Sequence, residues 1–338
     1  MNKKILLGHG SGGKLTHDLI KNIFIKSFNN DILNVQGDSS VFNIKNVNNI
    51  AFTTDSYVVD PIFFPGGDIG KLAVCGTVND LAVSGAKPLY LSAAFIIEEG
   101  FPIDSLETIV ESMVCEAKNA GISIVTGDTK VVNKGKCDKI FINTAGIGII
   151  DTNKIHISKG QNIKPGDKII INGTIGDHGM TIMKAREFES FNIDTKSDCA
   201  CLNSLIDEVL KISDKVNFMR DATRGGLASV LCEIVENKNY GISIDENNIK
   251  ITEGVSGMCE ILGLDPIYVA NEGKVVIIVG KEDADNVLNV MQKHDLGMES
   301  SIIGEITEQY PGKCWMNTEI GGKRIIDMLA GEQLPRIC

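Results

Sequence analysis

Five aspartates stand at the ends of expected structural elements or in apolar surroundings, where carboxylates can gather around a metal ion. Asp38 lies in Gly37-Asp38-Ser39, Asp55 follows a β-rich run, and Asp80 falls within Val78-Asn79-Asp80-Leu81-Ala82. Asp128 lies in Thr126-Gly127-Asp128-Thr129, and Asp221 in Arg220-Asp221-Ala222-Thr223-Arg224-Gly225-Gly226. Taken singly, each is more simply a helix cap or a turn residue. Asp80 resists that explanation, because an Asn-Asp pair inside an apolar helix caps nothing. A buried carboxylate needs a cation or hydrogen-bond donors. Hard oxygen ligands in a chain with only five histidines suit Mg2+, which bridges phosphate oxygens. Together the five point to a metal–phosphate site.

Two glycine-rich stretches could add backbone N–H groups to such a site. In Gly8-His9-Gly10-Ser11-Gly12-Gly13-Lys14 the glycines let amides converge on an anion, although a mobile loop is an equally good reading. The stretch is not a P-loop, since Leu15 takes the position of the hydroxyl residue. Arg224-Gly225-Gly226, at the expected start of a helix, is better placed because the helix terminus adds its dipole. Asp177-His178-Gly179 reads as a further turn, with His178 a turn residue rather than a catalyst. The sequence closes on Pro335-Arg336-Ile337-Cys338. Core packing does not account for Cys338, and an exposed thiol is an oxidation liability that tends to be kept only when used.

The elements that must position these groups alternate along the chain. Val41–Ile44 and Ile50–Thr54 read as a hairpin, and Asp68 as the cap of a helix ending near Gly85. A strand over Leu89–Ile97 is followed by a helix opened by an Asp104/Glu107 capping box and closed by Gly121. Ile122–Thr126 and Ile140–Ile150 are further strands. After a polar stretch at Asp151–Asp167, the pattern predicts strands at Lys168–Asn172, Ile242–Asp245, Lys274–Val279 and Ser301–Ile306. Helices are expected at Ser197–Ile212, Gly226–Glu236, Thr252–Leu262 and Glu282–Gln292. This implies two α+β or α/β domains, with 1–155 and 156–318 as their bounds and 319–338 as a mobile tail.

A length of 338 residues accommodates two ordinary cores. The net charge of −11, without a basic stripe, disfavours nucleic acid. No apolar run is long enough for a signal or membrane segment, so a cytoplasmic location without membrane attachment is expected. Nine scattered cysteines argue against a disulfide framework. The close pair Cys199 and Cys201 reads as apolar helix positions rather than zinc ligands.

In order, these motifs resemble the HypE hydrogenase maturation factors, within the superfamily of aminoimidazole ribonucleotide synthetases (PurM-like). The similarity runs over essentially the whole chain. It includes His9–Gly13, Phe64-Pro65-Gly66-Gly67-Asp68-Ile69-Gly70, Gly76–Ala82, Thr126–Val132, Gly176–Gly179, Asp221–Gly226, Asn271-Glu272-Gly273-Lys274 and the closing Pro335–Cys338. The aspartate motifs indicate only the superfamily, whereas the closing tetrapeptide is specific to the maturation factors. Ser39 stands where related chains often carry a second acidic residue, which leaves the number of metal ions open.

The resemblance implies a two-domain PurM-like fold whose N-terminal sheets pair into a β-barrel in a homodimer. It implies that the carbamoyltransferase HypF loads a carbamoyl group onto Cys338. The chain then dehydrates that group to a thiocyanate with ATP and Mg2+. The cyano group passes to the iron of a [NiFe]-hydrogenase cofactor on a HypC-HypD scaffold complex. Asp38, Asp55, Asp80, Asp128 and Asp221 become the expected metal ligands. Gly12, Gly13, Asn79, Thr129, Arg224 and Gly225 become the nucleotide contacts. Cys338, Lys130 and Glu272 become the catalytic groups. The alternatives are a kinase or cyclo-ligase acting on a free small molecule, and a non-catalytic carrier that uses its cysteine tail.

Overall fold

A computed structural model describes residues 4–10, 14–35, 49–188 and 194–328 of the chain. In the first half, α1 (Lys14–Leu19) runs through a π-helical stretch (Ile20–Ile25) into α2 (Lys26–Phe28). Strand β1 (Ile50–Tyr57) and the short hairpin β2 (Phe63–Phe64) and β3 (Gly67–Asp68) follow. Next come α3 (Ile69–Val83), β4 (Lys87–Glu98), α4 (Ile103–Ala120), β5 (Ser123–Val132) and β6 (Ile140–Ile149). The sheet order is β1-β6-β4-β5; β4 and β5 are parallel because α4 makes the crossover between them, and the other pairs are antiparallel. The other arm of the expected hairpin, Val41–Ile44, lies outside the described residues.

Helix α3 begins as its sequence dictates, with the Asp68 carboxylate accepting hydrogen bonds from the amides of Gly70 and Lys71. It is apolar on all sides and almost wholly buried, because it lies between this sheet and the second half of the molecule. Each fully buried leucine on it, such as Leu72, contributes about 1.5–3 kcal/mol relative to exposure. Two glycines allow its close approaches. A Cβ on Gly70 would stand 2.4 Å from the Ile109 carbonyl of α4, and one on Gly76 would stand 2.2 Å from the Tyr57 hydroxyl. Helix α4 starts one residue before the expected box, at Ile103 after Pro102. Asp104 therefore sits in its first turn rather than at the cap. Gly121 closes it in the left-handed conformation, as expected.

The second half contains β7 (Lys168–Ile171), α5 (Asp177–Glu187), α6 (Asn203–Ile212), β8 (Val216–Asp221) and α7 (Gly226–Val235). It continues with β9 (Gly241–Asp245), α8 (Glu253–Leu262), β10 (Val275–Val279), α9 (Ala284–Met291), β11 (Ser301–Thr307), β12 (Cys314–Asn317) and β13 (Lys323–Ile326). The seven strands are ordered β13-β12-β9-β11-β7-β10-β8, with only the β9–β12 pair parallel. Helix α7 packs with Ile169 and Ile171 on one face, and α6 and α9 pack with Ile170 on the other. Burial on both faces explains why β7 and β10 read as unbroken apolar runs.

Three expectations are corrected, and one strand escapes the sequence pattern. Asp177-His178-Gly179 opens a helix instead of a turn: the preceding Gly176 takes a left-handed φ of 84°, and His178 is fully buried. Residues 197–202 are not helical, because they pack as irregular chain against the first half. Strand β8 was hidden by its mixed composition, Val-Asn-Phe-Met-Arg-Asp. Within the stretch expected as a tail, Lys323–Ile326 adds an edge strand and buries Ile326.

Candidate functional site

A cavity of about 550 Å³ lies between β1 and α3 on one side and β8, α7 and Glu272 on the other. Its volume is in the range of small-molecule sites. Period-two alternation on β1 turns Thr53, Asp55 and Tyr57 toward α3 and the cavity. From α3, Asp80 meets them, with the Thr53 hydroxyl donating to Asp80 Oδ2 at 2.7 Å. Asp221 enters at the end of β8, and Arg224 follows in the loop to α7. Arg224 Nη2 lies 3.9 Å from Asp55 Oδ1. Gly225 and Gly226 both have positive φ, and a Cβ on either would collide, with Ser229 Oγ at 2.0 Å or the Val269 carbonyl at 2.5 Å. This tight turn places the N-terminus of α7 at the cavity, where Ser229 and Val230 line the wall.

Burial and neighbouring charge shift two carboxylates of this wall. Burial, joined by the charge of Asp55, raises the Asp80 carboxyl above its ordinary range against the Thr53 hydrogen bond. Burial, followed by the charge of Asp80, pushes Asp221 up to about 7. Arg220 offsets this only in part, and its guanidinium also pairs with Glu233. The raised carboxyls of Asp80 and Asp221, beside Asp55, fit a divalent ion held by oxygen ligands.

Glu272 is nearly buried, 4% exposed, and lines the same cavity. Its backbone is gripped from two sides. Asp198 accepts from the amides of Glu272 and Gly273, both at 3.1 Å, and pairs with Lys274 at 3.1 Å. Against the pull of burial, Lys274, His178 and the Glu272 amide hold the Asp198 carboxyl below its ordinary range. Asn79 Nδ2 donates to the carbonyls of Glu272 at 3.3 Å and Ala200 at 3.0 Å, while its Oδ1 accepts from Leu202 N at 2.8 Å. Asn79 is thus a buried bridge between the halves. The Asn-Asp pair in α3 divides its work: Asn79 faces the seam and Asp80 the cavity.

The Asp128 group is elsewhere. Asp128, Thr129 and Lys130 lie on edge strand β5 and line a second cavity of about 270 Å³ with Phe24, Phe28 and Phe95. Lys130 Nζ bonds both Asp128 oxygens, at 2.8 and 2.7 Å, and holds that carboxyl below its ordinary range. Within one chain, therefore, Lys130 and Glu272 do not share a cavity, and neither do Asp128 and the other described aspartates. Gly12, Gly13, Asp38 and Cys338 lie outside the described residues. Sequence reasoning missed Tyr57, whose hydroxyl burial and the Asp55 charge hold far toward the protonated form. Its spacing of two from Asp55 was the available signal. It also missed Asp198, for which the sequence carries no comparable mark.

The two sheets, the helices between them and this cleft define an AIR synthase related protein. Residues 36–150 match the family model for the N-terminal domain of AIR synthase related proteins, and residues 164–315 match that for the C-terminal domain. The carbamoyl dehydratase HypE of Cupriavidus necator is 47% identical over 335 residues, covering 99% of this chain and 95% of the relative. A crystal structure of the hydrogenase maturation protein HypE in complex with ATP superposes with a TM-score of 0.92 at 44% identity, covering 98% of this chain and 99% of that one. A HypE chain in a HypE–HypF complex gives 0.80 at 47% identity, covering 92% and 99%. The chain belongs to the HypE family of carbamoyl dehydratases, which act in hydrogenase maturation.

Proposed function

We propose that this chain binds ATP with Mg2+ in the cleft between its halves and dehydrates an S-carbamoyl group carried by Cys338 to a thiocyanate. The observation that carries this reading is the convergence of Asp55, Asp80, Asp221 and Glu272 on one cavity, in a chain 47% identical to a carbamoyl dehydratase. Asp55, Asp80 and Asp221 would hold Mg2+, which when bound supplies positive charge against the phosphate oxygens. Arg224 and the α7 N-terminus, opened by Gly225, face the phosphates.

A carboxamide oxygen leaves poorly as hydroxide and well as phosphate, so it must first accept a phosphoryl group. Two N–H protons must then be removed as the C–O bond breaks and the C≡N bond forms. Glu272 accepts one proton and the departing phosphate the other: the Glu272 backbone is fixed by Asp198 and Asn79, and it lies in the same cavity as the acids. Tyr57, held protonated beside Asp55, is a hydrogen-bond donor to the bound group and not a base. HypF is the partner that loads Cys338, supported by the relative found in complex with it. The product cyano group passes to iron on the HypC-HypD complex. The chain acts in the cytoplasm; no helix among the described residues is long and apolar enough to cross a membrane.

Asp128, Thr129 and Lys130 join the reaction through a homodimer. Asp55 and Asp128 occupy opposite edges of the sheet β1-β6-β4-β5. Pairing of two copies through those edges sets the Asp128–Lys130 stretch of one beside the cleft of the other. Ile50 and Phe52, 58% and 69% exposed on the outer face of β1, are the apolar surface that such pairing covers. The test of function is to follow the mass of the Cys338 adduct with and without ATP, and failure to lose water would refute the reading.

A further inference from the structure

Away from the cleft, three buried thiols and a carboxylate meet where α3, α4 and the irregular segment before α6 come together. Cys75 Sγ lies 3.5 Å from Cys201 Sγ and 3.9 Å from Glu116 Oε2. One donor atom from each of these residues lies within 4.8 Å of the other two. Cys75 is fully buried and Cys201 is 8% exposed. The Cys199 thiol, 3% exposed, also contacts Cys75 but lies outside this trio. Four-coordinate zinc, with Zn–S near 2.3 Å and Zn–O near 2.1 Å, places its ligand atoms roughly 3.5–3.8 Å apart. The observed spacings need only small adjustments to reach this.

We propose that Cys75, Cys201 and Glu116 form a site for one thiophilic divalent cation of the zinc class. Two thiolates select such an ion over Mg2+. Glu116 divides its oxygens suitably: Oε2 faces Cys75, while Oε1 receives Lys71 Nζ at 3.6 Å, an outer contact that orients a ligating carboxylate. The charges also close for the core trio. Two thiolates and one carboxylate are offset by the ion and the Lys71 ammonium, so a seam that disfavours net charge stays neutral. Glu116 and Lys71, with side chains 15% and 24% exposed, provide the entry path. The ion would bind both halves together one helical turn from Asn79, stabilising the bridge on which Glu272 rests.

The test uses the full chain carrying Cys338→Ala, so that this thiol does not contribute, titrated under reducing conditions with Cd2+ and Zn2+. One equivalent of Cd2+ should produce a thiolate-to-metal charge-transfer band, and Zn2+ should raise the melting temperature. Adding Cys201→Val, which replaces a buried thiol with a group of similar size, should abolish both responses while leaving the near-ultraviolet circular dichroism unchanged. Cys75→Ala should do the same. Absence of the band in the parent, or its persistence in both variants, would overturn the site.

Discussion

The two acidic regions differ in how their charge is balanced, although the sequence presents their aspartates alike, at the ends of expected elements or in apolar surroundings. At the cleft, Asp55, Asp80 and Asp221 converge with limited cationic relief, and burial with mutual repulsion raises Asp80 and Asp221. On β5, Asp128 is exposed and already neutralised by Lys130 two residues away. A carboxylate group left short of positive charge awaits a cation, whereas a satisfied ion pair on a sheet edge awaits a second surface. On the proposed reading, the metal would sit at the cleft and the β5 pair would serve a neighbouring copy.

The largest effect should come from the proton acceptor. Glu272→Gln should lower the rate of water loss from the Cys338 adduct by about 10²–10⁴-fold with nucleotide affinity retained, read by single-turnover mass analysis. Asp80→Asn should weaken Mg2+-dependent nucleotide binding by at least about tenfold, read by calorimetry, and unchanged affinity would remove this residue from the site. The β5 pair is separated from the cleft by subunit mixing. If Asp128→Asn and Asp80→Asn each inactivate the homodimer, a 1:1 mixture should recover about a quarter of wild-type activity, because half the dimers then hold one intact site. No recovery would mean that Asp128 acts within its own chain.

The smallest effect is on stability. Asp221 is raised from 3.8 to about 7 in the folded protein, so its contribution to stability is full below pH 4 and lost as pH rises through 7. Asp221→Asn should therefore melt a few degrees above the metal-free parent at pH 8, with the difference vanishing toward pH 4. Added Mg2+ should narrow the difference at pH 8 by stabilising only the parent.

Much of the molecule was legible because single residues carried unambiguous backbone or burial meaning. Asp68 and Gly121 marked helix ends, and the apolar runs of β7 and β10 marked strands covered on both faces. Asp80 was recognisable because a carboxylate in an all-apolar helix needs a reason. What failed depended on tertiary context. The bridging role of Asn79 was not legible, because the sequence does not reveal that α3 is covered by the second half, whose backbone bonds its amide. Residues 197–202 looked helical until the seam gave their backbone other partners, such as the Pro65 carbonyl bound by Ser197 N. The separation of Asp128 from Asp55 is a property of strand order, which motif spacing does not encode.

The most direct measurement is intact-mass analysis of the chain after loading by HypF with carbamoyl phosphate, before and after Mg-ATP. The account predicts a carbamoyl adduct on Cys338 that is stable alone and loses the mass of one water only with ATP. A fully loaded Cys338 that binds ATP yet never loses water would contradict it and leave the chain a carrier.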